Sequence, residues 1–136
     1  MENPGSVRPS DFIACLTAID RADLLSLADR RAVERSGLVY SAGSPGRNVY
    51  FLEEGQVKIY QLSPAGKEVL LWFCLPGEIF GLTEICRGGQ RQVYAQACER
   101  SSVLSVSRED FTAFLAVRPQ AALLVSTPQL RNMGTI

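Results

Sequence analysis

The stretch "NVYFLEEGQVKIYQLSPAGKEVLLWFCLPG", beginning at Asn48, constrains the fold of this chain most. Short apolar-rich segments are broken at Glu54-Gly55 and again at the Ser-Pro-Ala-Gly sequence of residues 63–66. Both breaks carry residues that favour tight turns. Val57 and Ile59 alternate with Gln56 and Lys58, the period of a strand with one buried face. Residues 69–75 are apolar throughout, which predicts a strand covered on both sides. "AVERSG" and "LVYSAGSPG" before this stretch, and "VYAQA" and "SSVLSVS" after it, continue the rhythm. Strands recurring about every 8–12 residues point to a β-barrel or jelly roll.

Helical patterns flank the strands. Residues 1–9 are polar, carry two prolines and are expected to be disordered. Ser10 is placed to cap a helix over residues 11–19, with Phe12, Ile13 and Leu16 on one face. "DRADLLSLADR" reads as a second helix, with Arg30 and Arg31 near its C-terminal end, where cations suit the dipole. After the strands, "REDFTAFLAVRP" returns to helix, and "QAALLVST" starts another that Pro128 should stop.

A chain of 136 residues is one domain, able to bury roughly two thirds of its unfolded surface. Its formal net charge of +0 lacks the basic footprint of a free-standing nucleic-acid binder. The longest apolar run is too short to span a bilayer, and the N-terminus "MENPGSVRPS" has no apolar core of a signal peptide. A cytoplasmic location is expected. Cys15, Cys74, Cys86 and Cys98 show neither zinc spacing nor a secreted context, so buried or half-buried free thiols are expected. The chain has 0 histidines, which removes the usual general base, the usual metal ligand and every Ser-His or Cys-His dyad. No catalytic residue and no metal site is assigned.

The stretch "LPGEIFGLTEICRGGQRQVYAQA" sets Gly77, Gly81, Gly88 and Gly89 around what reads as one helical turn, with Arg91 at the mouth of the next strand. One reading is an anion cradle. A helix N-terminus offers backbone N–H groups, Gly81 permits close approach, and Arg91 brings a planar fork from the facing strand. The other reading is a tight corner in which the glycines serve turns and Arg91 is solvated. Residue chemistry leaves both open.

The order of elements resembles the effector-binding domain of the Crp/Fnr family of transcriptional regulators, a cyclic-nucleotide-binding β-roll. The resemblance covers residues 12–120. It is carried by "GLVYSAGSPGRNVYF", by Glu53, Gly55, Val57 and Lys58 as E-x-G-x-V-K, and by "PGEIFGLTEI", "RQVYAQACERSSVLSVSREDF" and "FLAVRP". It implies a mainly β, double-stranded roll or jelly roll with short flanking helices. Residues 10–120 would be the sensor domain. Residues 121–136 would begin a dimerisation helix, and the family's DNA-reading helix-turn-helix would lie outside this chain.

In cAMP-binding members the phosphate cassette is F-G-E followed by an Arg-Ser or Arg-Thr pair. The glutamate takes the ribose 2′-hydroxyl and the arginine takes the cyclic phosphate. Here Gly81 matches the glycine and Arg91 the arginine, while Leu82 stands for the glutamate and Gln92 for the hydroxyl residue. Glu84 comes two residues late. The implied effector-binding set is Gly81, Leu82, Thr83, Glu84, Arg91, Gln92 and Val93. It keeps the partner of a phosphate and loses the handle on the sugar, so a cyclic nucleotide is expected to bind weakly. "YAQA" looks closer to the Fnr-like branch, whose members often bind no nucleotide. An iron–sulfur sensor needs grouped N-terminal cysteines and only Cys15 is there. A haem sensor or a metal-binding cupin needs histidine.

The expected function is therefore non-enzymatic. A small-molecule effector beside Gly81 and Arg91 would bias a DNA-binding module outside this chain. The competing reading is an effector-free interaction or scaffolding roll. No membrane partner is expected. The full-length form should be a homodimer, and the chain as given a monomer or weak dimer.

Overall fold

The computed structural model of the chain describes residues 11–82 and 90–125. Helices α1 (Phe12–Cys15) and α2 (Ala18–Leu27) lead into β1 (Asp29–Val33) and β2 (Leu38–Tyr40). Next come β3 (Asn48–Glu54), β4 (Val57–Leu62), β5 (Glu68–Cys74) and the two-residue β6 (Ile79–Phe80). Strands β7 (Tyr94–Ala97) and β8 (Ser101–Ser107) precede helices α3 (Arg108–Ala116) and α4 (Pro119–Val125). Among the described residues the strands form two four-stranded sheets, in the orders β1-β8-β3-β6 and β2-β7-β4-β5. Every described pairing is antiparallel, as the mainly-β roll requires.

Strand periodicity divides the interior into two cores. Along β3, Val49 and Phe51 face the helices, where they join Phe12, Leu24, Ile79, Phe111 and Phe114. The alternate residues Tyr50 and Leu52 face the inside of the roll with Val57, Ile59, Phe80, Ala95 and Val103. Both faces of the strand are thus buried, and each full-sized apolar side chain so covered contributes about 1.5–3 kcal/mol. The hairpin between β3 and β4 closes at Gly55, whose φ is +98°. A Cβ there would lie 2.2 Å from Ser101 Oγ, so only glycine fits.

The N-terminal helices differ from the expected pair. Asp11 caps α1 by accepting from Ala14 N–H at 3.1 Å, and Ser10 lies outside the described residues. The expected helix over 11–19 breaks because Thr17 offers a second cap, accepting from Asp20 N–H at 3.1 Å. Arg21 then donates to the carbonyls of Ile13 and Leu16, each at 3.2 Å, and so braces the end of α1, where the Ile13 carbonyl also accepts from Leu16 N–H at 3.3 Å. Arg30 and Arg31 do not end a helix; they lie in β1. Tertiary pairing overrides the local pattern: β1 runs along β8, and Arg30 forks onto both oxygens of Glu53 at 2.7 Å.

Strand β5 is the larger correction. It was expected to be covered on both sides, yet Leu70 is 49% and Phe73 45% exposed. The strand stands at the end of its sheet, with β4 its partner among the described strands. A bulge against Ile59 and Tyr60 breaks its alternation, so Leu71 and Trp72 both pack toward the roll interior.

At the other end, Ser107 caps α3 by accepting from Asp110 N–H at 3.1 Å, and Pro119 opens α4. Arg118 ties their joint to α2, meeting Asp20 at 3.2 Å and Asp23 at 2.7 Å while lying 4.3 Å over the Phe114 ring. Residues 1–9 and Pro128 lie outside the described residues.

Candidate effector site

Arg91 enters the site from a segment pinned to the β2–β3 connection. Its N–H donates to Ser44 O at 2.7 Å, and its carbonyl accepts from Gly43 N–H at 2.8 Å. The side chain then runs into the roll and is only 3% exposed. Nη1 donates to Gly81 O at 2.8 Å and Nη2 donates to Asn48 O. The guanidinium carbon lies 4.2 Å from the Tyr40 ring centroid and 5.7 Å from that of Tyr50. A buried cation is costly unless it is hydrogen-bonded, and these carbonyls and ring faces offset that cost.

Gly81 is required twice. Its φ is +76°, and a Cβ would stand 2.7 Å from Arg91 Nη1. The glycine therefore lets the chain turn and lets the cation approach the carbonyl. Glu78, also buried, uses Oε1 to accept from Leu75 N–H at 2.8 Å, closing the turn that precedes β6.

The remaining expected site residues are distributed as follows. Leu82 is 5% exposed and belongs to the helix-facing core with Phe111 and Ala121. It also borders a groove of about 770 Å³ shared with Phe111, Leu115 and Val125. Val93 is buried in the roll-interior core, and Gln92 is exposed. Thr83 and Glu84 lie outside the described residues. Gly81 and Arg91 thus stand in contact, Val93 lines the same interior, and Leu82 faces the other core.

Sequence reasoning missed Asn48, Tyr40 and Tyr50. The rings of Tyr40, Tyr50 and Phe80 form one cluster, with centroids 5.5–6.2 Å apart. The alternation in "NVYFL" could have sent Tyr50 inward with Leu52, but nothing local pairs Tyr40 with Arg91. Tyr94 stacks on Tyr60 at 5.1 Å and 10°. Trp72 packs against the interior core, and its indole N–H is buried without a partner among the described residues.

Of the cysteines, Cys74 is buried and Cys98 half-buried, but Cys15, the last residue of the one-turn α1, is exposed, contrary to expectation. Burial raises the Cys98 thiol above its ordinary pKa, which disfavours the reactive thiolate. Cys86 lies outside the described residues. Among the described residues no group of three or more His, Cys, Asp or Glu is placed to hold a metal ion. No described helix is long and apolar enough to cross a membrane.

Residues 30–118 match the family model described as the cyclic nucleotide-binding domain. The chain is 30% identical over 106 residues to the cyclic AMP receptor protein of Thermus thermophilus, covering 77% of this chain and 49% of that one. It is 31% identical over 86 residues to a CRP-like cAMP-activated global transcriptional regulator of Mycobacterium tuberculosis, covering 63% of this chain and 38% of that one. The crystal structure of the Thermus thermophilus catabolite activator protein superposes with a TM-score of 0.81 at 26% identity, covering 90% of this chain and 57% of that one. The chain thus spans about half or less of the length of these curated relatives. It belongs to the cyclic nucleotide-binding domain family, in the form carried by the sensor domains of Crp/Fnr-type regulators.

Proposed function

We propose that the domain senses a small anionic, nucleotide-like effector and passes the signal to a DNA-binding module outside this chain. The reading places the domain in the cytoplasm, in a full-length regulator that is a homodimer. The observation that carries it is Arg91, a cation kept 3% exposed inside the roll beside a positive-φ glycine. A phosphate oxygen is a stronger acceptor for such a fork than a neutral carbonyl, because the hydrogen bond becomes charge-assisted. Gly81, Leu82, Thr83, Glu84, Arg91, Gln92 and Val93 form the proposed effector site.

Two contacts support a route for the signal. Gly81 O accepts from Arg91, and the next residue, Leu82, packs among Phe111 and Ala121 of α3 and α4. A ligand that redirects Arg91 changes the hold on Gly81, and Leu82 carries that change to the helices. The step is a shift between packing states and involves no covalent chemistry.

A second reading, an effector-free roll, is favoured by the Tyr40, Tyr50 and Phe80 rings, which occupy the interior beside Arg91. Thermal shift with cAMP and cGMP, followed by hydrogen exchange of the α3 and α4 amides, separates the two. The sensor reading expects a concentration-dependent rise in melting temperature and altered protection in Pro119–Val125. Absence of both at millimolar nucleotide favours the effector-free roll.

A further inference from the structure

Tyr40 and Tyr50 approach Arg91 from strands distant in sequence, and the closer ring belongs to the shortest strand of its sheet, β2. A guanidinium presents donors at its rim and cation–π contacts at its faces. Both terminal nitrogens donate at the rim, to Gly81 O and Asn48 O. One face lies on Tyr40 at 4.2 Å. Tyr40 is in turn held by Tyr50 at 5.7 Å and Phe80 at 6.2 Å, so the ring is fixed by packing on the roll-interior side. Cation–π attraction is strongest where water is excluded, and Arg91 and Tyr40 are both buried.

We infer that Tyr40 is a latch on the effector site, holding Arg91 inward on the Gly81 and Asn48 carbonyls so that an anion must outcompete the protein's own contacts. This rests on the reading of Arg91 as the anion partner. The latch sets a threshold for ligand binding: a phosphate gains the charge-assisted bonds of the fork only after one carbonyl or the ring has been displaced. Tyr40 acts here through Arg91 and is a positioning residue. A ring that only pre-organised Arg91 for its ligand would act in the opposite sense, since its removal would weaken binding.

The test is calorimetric titration of the full chain with cAMP, comparing wild type, Tyr40→Leu and Tyr40→Phe. Removing the ring should tighten cAMP binding about tenfold, whereas Tyr40→Phe, which keeps a π face, should stay within about twofold of wild type. Unchanged or weaker binding by Tyr40→Leu, with measurable binding by wild type, overturns the latch and leaves the effector reading standing. Silence from all three proteins at millimolar cAMP overturns both. Should Tyr40→Leu fail to fold, the near-ultraviolet difference spectrum of wild type on adding cAMP decides. A tyrosine band that Tyr40→Phe lacks supports displacement of Arg91 from the ring, and its absence rules displacement out.

Discussion

The two faces of β3 line two cores that differ in chemistry. The helix-facing core is closed by phenylalanines: Phe12 stacks on Phe51 at 5.7 Å, and Phe111 meets both rings edge-on at 6.1 and 6.0 Å. The roll interior contains Tyr40, Tyr50, the indole of Trp72 and the Arg91 guanidinium. Apolar packing needs no partner beyond shape, whereas each buried polar atom needs an acceptor or a donor. The first core is built from apolar side chains. The second spends part of its volume on a cation that packing alone does not require, and that is where a ligand-dependent function is expected to reside.

The largest expected effect lies on the helix side. Phe111→Ala should lower stability by about 3–5 kcal/mol in urea unfolding, the range for a large aromatic lost from a tight core. Tyr40→Leu on the interior side should lower it by clearly less. Equal losses would break the distinction between a structural and a functional core.

Gly81→Ala should rank next. Its φ of +76° and a Cβ 2.7 Å from Arg91 Nη1 combine backbone strain with a clash, for about 1–3 kcal/mol. Gly66→Ala makes the sharper comparison. Its φ is +84°, but a Cβ there meets nothing within 4 Å, so only the strain remains. A Gly66 variant as destabilised as the Gly81 variant would remove the argument for close approach of Arg91.

A smaller effect depends on pH. The hydrogen bond from Arg30, and then that from Ser102, lowers the Glu53 carboxyl from 4.5 to about 2. The folded-state pKa is depressed, so this stabilisation is present above about pH 4.5 and is lost as pH falls toward 2. The pair is largely exposed, so the change in urea midpoint should be small and screened by salt. Glu53→Gln should flatten that part of the pH profile, and an unchanged slope would show that the pair contributes nothing.

The smallest effect belongs to the exposed edge. Phe73→Ser on β5 should change stability by no more than about 0.5 kcal/mol, as is usual for exposed positions. A loss above about 2 kcal/mol would mean that β5 is covered in solution, as for an apolar side chain withdrawn from water.

Legibility in the sequence followed the range of the interactions. The turns at Glu54-Gly55 and residues 63–66, and the alternation of β4, depend on neighbours and could be read directly. The exposure of β5 could not, because an apolar run carries no information about which strand ends a sheet. Arg30 sat in a plausible helical pattern until β8 and Glu53, distant in sequence, drew it into a strand. At the site, the turn chemistry of Gly81 and the charge of Arg91 drew attention to both residues. The carbonyl of Asn48 and the Tyr40 ring did not stand out, because only the folded roll brings them to the guanidinium.

The central claim is that Arg91 receives an anion, and the most direct measurement is calorimetric titration of the full chain with cAMP before and after Arg91→Ala. Wild type should bind weakly, with a Kd no better than about 100 μM, or roughly −5.5 kcal/mol, because Leu82 offers no carboxylate to the ribose. Arg91→Ala should show no detectable binding. Binding that survives the loss of Arg91 would contradict the claim, and a low-micromolar Kd for wild type would contradict the role given to Leu82 and Gln92.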